Sequence, residues 1–446
     1  MKNNTLINKY NKKNRLIIIS EYTPSIKGST GLARFASNTA ESLGNKLIII
    51  TNRAKDQDEI SESDDNLLIR CFEKNRFLTF FNIFAYLLRL NKVKTVLFEF
   101  EFASYGNIFV VGLLPLLVFL MKVMDKKVFF ALHQVTDDLK RLNRHLGLAK
   151  NSPFLSLLNI GLGLFYWILG LLSEKMIVLE EEFKSRLSKF IKEDKILLIP
   201  HGVESLKALD NFKTRREMKL GRKDFVILVF GYIAWYKGLD RLIEAFNHIP
   251  ATFQGKKVKL VIAGGYSQAQ AGRDHYERHF QSVMEKARGN KRVIVTGFVP
   301  EDKIKNYYSV ADLCLVPYRE FVSSSGPLSL ALSFKKPVIL SQELKDYKKS
   351  VDFKKALSMA KLDDEELFVE ISAESLKQMV QRLTAKPSYK KKLVLFSSSL
   401  RRLRSWKRIS RQYGKIIVNK RAKRLALPGF NFNFKIKDLL IRYNLN

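Results

Sequence analysis

LVFGYIAWYKGLDRLIEAF, Leu228 to Phe246, is the stretch that decides the architecture of this chain. An apolar run ends at Gly231, a short loop carries Lys237-Gly238, and apolar residues then recur at helical spacing. A glycine at the end of a strand lets another molecule approach the backbone, and a lysine in the next loop is a phosphate partner. The helix that follows aims its first amides at the same place, which favours an anion there. About ninety residues later VPYREFVSSSGPLSLALSFKKPVIL, Val316 to Leu340, reads as a second strand, small-residue loop, helix and strand. Two phosphate-type loops in one half of a chain point to a nucleotide-diphosphate ligand.

Working outward, short β-branched runs alternate with helical spacing along the whole sequence. In the first half the strand candidates are 16–20, 46–51, 67–72, 95–101, 128–133, 176–180 and 196–200; in the second they are 225–231, 259–264, 293–297, 313–317 and 337–340. Gly31–Leu43 and Phe183–Phe190 are helix candidates, and Asp56–Asp65 reads as an acidic surface loop. Strand–helix alternation implies parallel, doubly wound sheets. At 446 residues two cores are expected. The expected fold class is α/β, two Rossmann-like doubly wound domains facing across a cleft. The first would span 1–204, a linker 205–222, the second domain 223–398, a cationic helix 399–418 would follow, and a basic aromatic tail would occupy 419–446. Such sheets bind ligands at the carboxyl ends of their strands.

Composition narrows the class. With 46% hydrophobic residues the chain is globular, and Cys71 and Cys314 in apolar runs read as buried thiols, which argues against a disulfide scaffold. No Cys, His and carboxylate cluster has metal-ligand spacing, so no metal is expected. The net charge is +35, and from Pro387 onward seventeen Lys/Arg face one acid, Asp438. That imbalance suits an anionic membrane face. No nucleic-acid module accompanies it, so specific nucleic-acid binding is not expected. The first apolar run, Leu16–Ile19, is too short for a signal segment, and a cytoplasmic chain is expected. Phe102–Met121 and Pro153–Leu172 are each twenty residues without a charge, which is long enough to span a bilayer. The first lies between two strand candidates. If both join one sheet it cannot cross, so the pair reads as buried or monotopic helices on the inner face of the membrane.

Five landmarks carry a family resemblance: IPHGVE (199–204), the opening stretch, LVIAGG (260–265), VTGFVPEDKIKNYYSVADLCLVPY (295–318) and SSGPLSLALSFKKPVI (324–339). With the glycine loop EYTPSIKGSTGLARFASNTAESLG (21–44), they resemble glycosyltransferases of the GT-B fold, specifically family four (glycosyl transferases group 1). The SWKRIS run around Trp406 is similar to the family's final helix, which crosses back to the first domain. The resemblance implies transfer of a sugar from a nucleotide-diphosphate donor, retaining and metal-independent, with the sugar nucleotide as co-substrate and no cofactor. Lys237 would neutralise the diphosphate, beside Gly231 and with Gly28 approaching from the first domain. Ser324, Ser325 and Gly326 would offer amides and hydroxyls, and Gly297, Phe298 and Val299 would frame the base. His133 would hydrogen-bond the donor sugar or assist the acceptor hydroxyl. Glu99 and Glu101 alternate on one strand face, which reads either as a pair reaching the acceptor side or as a solvated pair. The implied acceptor is a glycan or a lipid-linked glycan of the cell envelope.

The sequence departs from the family at one important place. The glutamate pair usually found eight positions apart is here Val322 and Leu330, and Glu320 is two positions out of register. The arginine often found after Gly231 is replaced by Tyr232 and Ile233. A catalytically inactive GT-B scaffold that binds a glycan, lipid or protein partner is therefore the alternative reading. His201 reads as part of a domain-closing turn.

Overall fold

The computed structural model describes residues 2–21, 35–36, 38–39, 47–53 and 57–417. Gly28, most of the Gly31–Leu43 helix candidate and the 419–446 tail lie outside the described residues. The strands of the first half are β1 (Leu16–Ile19), β2 (Ile48–Asn52), β3 (Ile60–Ser63), β4 (Asn66–Phe72), β5 (Thr95–Phe100), β6 (Lys127–Leu132), β7 (Lys175–Val178) and β8 (Ile196–Leu198). They form one sheet in the order β3-β4-β2-β1-β5-β6-β7-β8, parallel except for β3. Continuous apolar runs such as LIII in β1 are buried along their whole length, as a sheet covered on both faces requires.

β3 corrects the expected acidic loop. Its four residues ISES pair antiparallel with β4. Asp64 and Asp65, both at positive φ, close the hairpin, a conformation that aspartate tolerates better than most residues.

The second sheet holds β9 (Asp224–Phe230), β10 (Thr252–Phe253), β11 (Lys256–Ala263), β12 (Val293–Val295), β13 (Leu313–Val316), β14 (Val338–Ser341) and β15 (Phe368–Val369). Its order is β10-β11-β9-β13-β14-β15, with β12 also on β11. The expected linker is partly helical. Asn211–Glu217 is capped by Asp210, and its buried Arg215 donates to Asp312 at 2.6 Å. That helix therefore packs with the second domain.

Both uncharged stretches return to the sheet they leave. β5 pairs in parallel with β6, and β6 with β7, so neither connecting segment crosses a bilayer. The first is three helices, Phe102–Tyr105, Ile108–Val111 and Leu114–Val123. The break falls at Gly106, whose φ of +132° is closed to most side chains. The second, Pro153–Leu172, is one helix that is long and apolar enough to span by composition alone. Its inward face carries Ser156, Asn159 and Tyr166, while Phe154, Leu157, Leu164 and Leu171 face outward.

The expected final helix is two. Pro387–Leu403 packs on the second domain, and Trp406–Ile417 crosses to the first. There Ile409, Tyr413 and Ile417 join a buried cluster with Ile18, Ile49, Leu97 and Ile177. Full burial of such side chains stabilises by about 1.5–3 kcal/mol each. At the break, Arg404 lies buried between the domains. Its Nη1 and Nη2 donate to Glu180 Oε1 and Oε2 at 2.7 and 2.9 Å, and its Nε donates to Asp352 Oδ2 at 2.6 Å. Burial works to lower the guanidinium's pKa, but Glu180 and Asp352 outweigh it and hold it above its ordinary range.

Replacing Arg404 with Met leaves Glu180 buried and unpaired. A loss of about 3–5 kcal/mol is expected from breaking one side of a buried pair. The double variant Glu180→Met/Arg404→Met should lose less, as read from thermal unfolding midpoints. A double variant at least as destabilised as the single would refute this account of the clasp.

Candidate active site

The site forms where β9, β11 and β12 end together. Beyond β9 the chain turns at Gly231, with φ +110°. A Cβ at Gly231 would lie 2.6 Å from the Nζ of Lys237, so the glycine provides the space into which the lysine folds. A short 3₁₀ turn, Trp235–Lys237, brings the lysine there, and Gly238 at φ +67° opens the Leu239–Asn247 helix. A Cβ on Gly264 would overlap the Gly231 carbonyl, and one on Gly265 would lie 2.8 Å from the Gly297 Cα. Three strand ends thus present bare backbone to the cleft.

Lys237 is buried. Among the described residues no group accepts a hydrogen bond from its Nζ. Burial pushes its pKa down to about 8, with Glu101 of the first domain pulling the other way. A buried ammonium at a helix N-terminus without a hydrogen-bonded anion is unfavourable on both counts. An anionic group of a ligand would relieve both.

The Ser-Gly loop offers less than its sequence suggests. Ser324 donates its amide to the His133 carbonyl at 3.3 Å and its hydroxyl to Glu180 Oε1 at 2.9 Å. The Ser325 amide donates to the Tyr347 hydroxyl, and its Oγ accepts from Leu328 N as the cap of the Gly326–Ser333 helix. Both serines are therefore spent on holding the loop in this conformation. Gly326 remains as the first residue of that helix, with open space where its Cβ would be. Pro327 next to it comes within 3.6 Å of the Cβ position at Gly231, so the helix start and Lys237 share one corner.

Around the base position, Gly297 has φ +75° and Phe298 is 56% exposed. The half-exposed Tyr232 faces it, with near-parallel rings whose centroids are 6.5 Å apart. The side chain of Val299 is buried in the main core cluster, so only its backbone is offered at this edge.

From the first domain, His133 follows β6 at the cleft. Its Nε2 hydrogen-bonds Glu99 Oε2 at 2.9 Å, and Phe35 packs edge-on against the ring at 4.4 Å. The bond to Glu99 leaves Nδ1 as the ring atom able to reach a ligand. Glu99 is fully buried and serves His133, away from the acceptor side assigned to it from sequence. Glu101, the next residue on that strand face, feels His133, Lys74 and Lys237, while burial raises its carboxyl pKa. Its position toward Lys237 becomes visible only when the two domains are placed together. Glu320 sits near Arg141 and Arg186 of the first domain, and burial raises its carboxyl too. His201 is held by its own turn, with Nδ1 2.7 Å from the Gly202 carbonyl oxygen, and burial pushes it down to about 3.

Residues 210–397 match the family model described as glycosyl transferases group 1. The alpha-galactosylglucosyldiacylglycerol synthase of Streptococcus pneumoniae is 27% identical over 158 residues, which are 34% of this chain and 38% of that protein. The match thus spans well under half the length of that relative. Sucrose-phosphate synthase from Thermosynechococcus elongatus superposes with a TM-score of 0.66 at 16% identity, over 90% of this chain and 98% of that one. HepE of Anabaena, in complex with UDP-glucose, gives 0.64 at 12% identity over 90% and 98%. The chain has the GT-B fold, and its residues 210–397 are similar to the glycosyl transferases group 1.

Proposed function

We propose that this protein transfers a sugar from a nucleotide-diphosphate donor to an acceptor hydroxyl, with retention and without a divalent cation. The observation that carries the reading is Lys237, a buried ammonium with no hydrogen-bonded anion in the described structure, folded against Gly231 where three strand ends bare their backbone. In this reading the diphosphate lies between Lys237 and the start of the Gly326–Ser333 helix. As the glycosidic bond breaks, its electron pair passes to the diphosphate oxygen, and Lys237 stabilises the charge that grows there. The donor sugar then faces His133 Nδ1. Glu101, whose carboxyl interacts electrostatically with Lys237 and His133, orients the acceptor hydroxyl. The base lies against Phe298, with Tyr232 on its other side.

The acceptor is a lipid-linked or envelope glycan, and the first domain rests on the cytoplasmic leaflet. The outward apolar face of Pro153–Leu172 supports this, because it continues over packed neighbouring helices through Phe119 and Phe81. Apolar residues outside and Asn159 inside reverse the pattern of a water-facing helix. The net charge of +35 suits anionic lipid. The Streptococcus relative, a glycolipid synthase by name, points to the same acceptor class.

A panel of UDP-, GDP- and ADP-sugars should contain one that raises the melting temperature. Lys237→Ala should abolish that shift and lower turnover by about 10²–10³. No shift with any of them would favour the inactive scaffold, for which Val322 and Leu330 in place of the glutamates speak. Gly231→Ala pushes the ammonium out of its niche, so it should remove the donor shift without adding to the Lys237→Ala loss. The charged form of Lys237 predominates below about 8. Donor affinity in wild type should therefore fall as pH rises through that value, by calorimetric titration, and an affinity that does not change across it would count against Lys237 as the diphosphate's partner. Sedimentation with vesicles should show binding to anionic but not neutral lipid, weakened when Phe119 and Leu157 are both changed to Ser. Unchanged sedimentation of that variant would overturn the docking face.

A further inference from the structure

A second cavity, of about 240 Å³, opens where the first-domain turn Asn143–Leu146 meets the second domain. Arg144, His145, Trp235, Asp240, Gln270 and His279 line it. It adjoins the donor site without sharing its residues, since Trp235 precedes Lys237 by two positions and Tyr236 packs on His145 at 5.5 Å. The two walls are pinned together by His275 Nε2, 3.0 Å from the His145 carbonyl oxygen.

Three lining side chains each carry a buried polar atom that nothing in the described structure satisfies: Asp240 Oδ1, Gln270 Oε1 and His279 Nε2. Each side chain is otherwise anchored or confined. Asp240 takes Arg319 Nη2 at 2.8 Å on its other oxygen, and Gln270 Nε2 lies 3.2 Å from His145 Nε2. Buried polar atoms in native proteins are rarely left unpaired, so a cavity that gathers three of them is shaped for a polar occupant.

The chemistry of the set says which occupant. A free carboxylate oxygen and a free amide oxygen both accept, and they ask for hydroxyl donors. Burial holds His145 down at about 4 and His279 below its usual range, so both imidazoles are neutral at physiological pH. The free Asp240 oxygen repels an anion. Among the described residues no group of His, Cys, Asp and Glu is placed to hold a metal ion. Trp235 adds an indole surface against which the C–H face of a ring can lie, and the volume is below that of drug-sized pockets. We propose that this cavity is a saccharide subsite that takes one uncharged sugar ring of the acceptor, held between the domains beside the donor site. Only the assignment of that ring to the acceptor rests on the transfer reading above.

The test is side-chain NMR of the histidines in the full chain, titrated with the methyl glycosides of glucose, galactose and N-acetylglucosamine. At least one glycoside should shift the His145 and His279 imidazole signals, both in wild type and in Lys237→Ala. His279→Leu and Gln270→Ala should each weaken that glycoside at least tenfold, the first read at His145. Gln270 sits on a short surface turn, which keeps the test open if the histidine variant folds poorly. Absence of any shift, or unchanged affinity in Gln270→Ala, would overturn the subsite. Glycoside binding in a protein that binds no sugar nucleotide would leave the subsite standing and remove the transfer reading. Donor binding without glycoside binding would do the reverse.

Discussion

The relation between the two domains depends on one buried carboxylate. Glu180, at the end of β7, takes both arms of Arg404 and the hydroxyl of Ser324. The first contact ties it to the segment that crosses back from the second domain. The second ties it to the loop that opens the Gly326–Ser333 helix. A buried pair of this kind stabilises little in itself, because desolvation offsets much of the attraction. What it supplies is register: neither partner can move without leaving the other charged and dry. The Ser324 amide on the His133 carbonyl and the bridge between Gln134 and Ser323 follow the same line. An anion that recruited the Ser324 amide would have to displace that carbonyl, so the domain contact keeps this amide from a ligand.

Lys237 shows the complementary logic. A lysine at the start of a helix works against the helix dipole, and burial penalises its charge further. The chain tolerates both because the charge of Glu101 favours the ammonium and because Gly231 makes room. Neither neighbour neutralises it by a hydrogen bond. The free site is therefore held in an electrostatic state that a diphosphate would improve, and its pKa near 8 places that state within reach of physiological pH.

The strands were legible because they are apolar and β-branched over most of their length, and the glycine-lined cleft because each glycine follows such a run. β3 was hidden: ISES lacks an apolar stripe, and only the pairing of its backbone with β4 makes it a strand. Ser324 and Ser325 carried the right chemistry, yet their hydrogen-bonding capacity was consumed by partners up to 191 residues away, a demand no local window contains. Glu180 and Arg404, 224 positions apart, had no signal at all. Long-range ion pairs leave no periodicity to read. The reversal of the Pro153–Leu172 helix was half legible. Its lack of charge is plain in the sequence, whereas the choice of which face meets the sheet depends on Asn159 bonding Asp138 and the Leu139 amide.

That last detail links three features on one connection. Between β6 and β7 the chain passes His133 at the cleft, then Arg144 and His145 at the interdomain cavity, then the helix whose apolar face points outward. Asn159 fixes the helix against the very turn that leads to the cavity wall. A rotation of the helix that hid Leu157 and Leu164 would expose Asn159 and strip the Leu139 amide of its acceptor. The orientation of the apolar face is thus set by hydrogen bonds that also hold the turn. An amphiphilic acceptor, with a sugar at one end and hydrocarbon at the other, would meet polar groups and apolar surface in the same order along this connection.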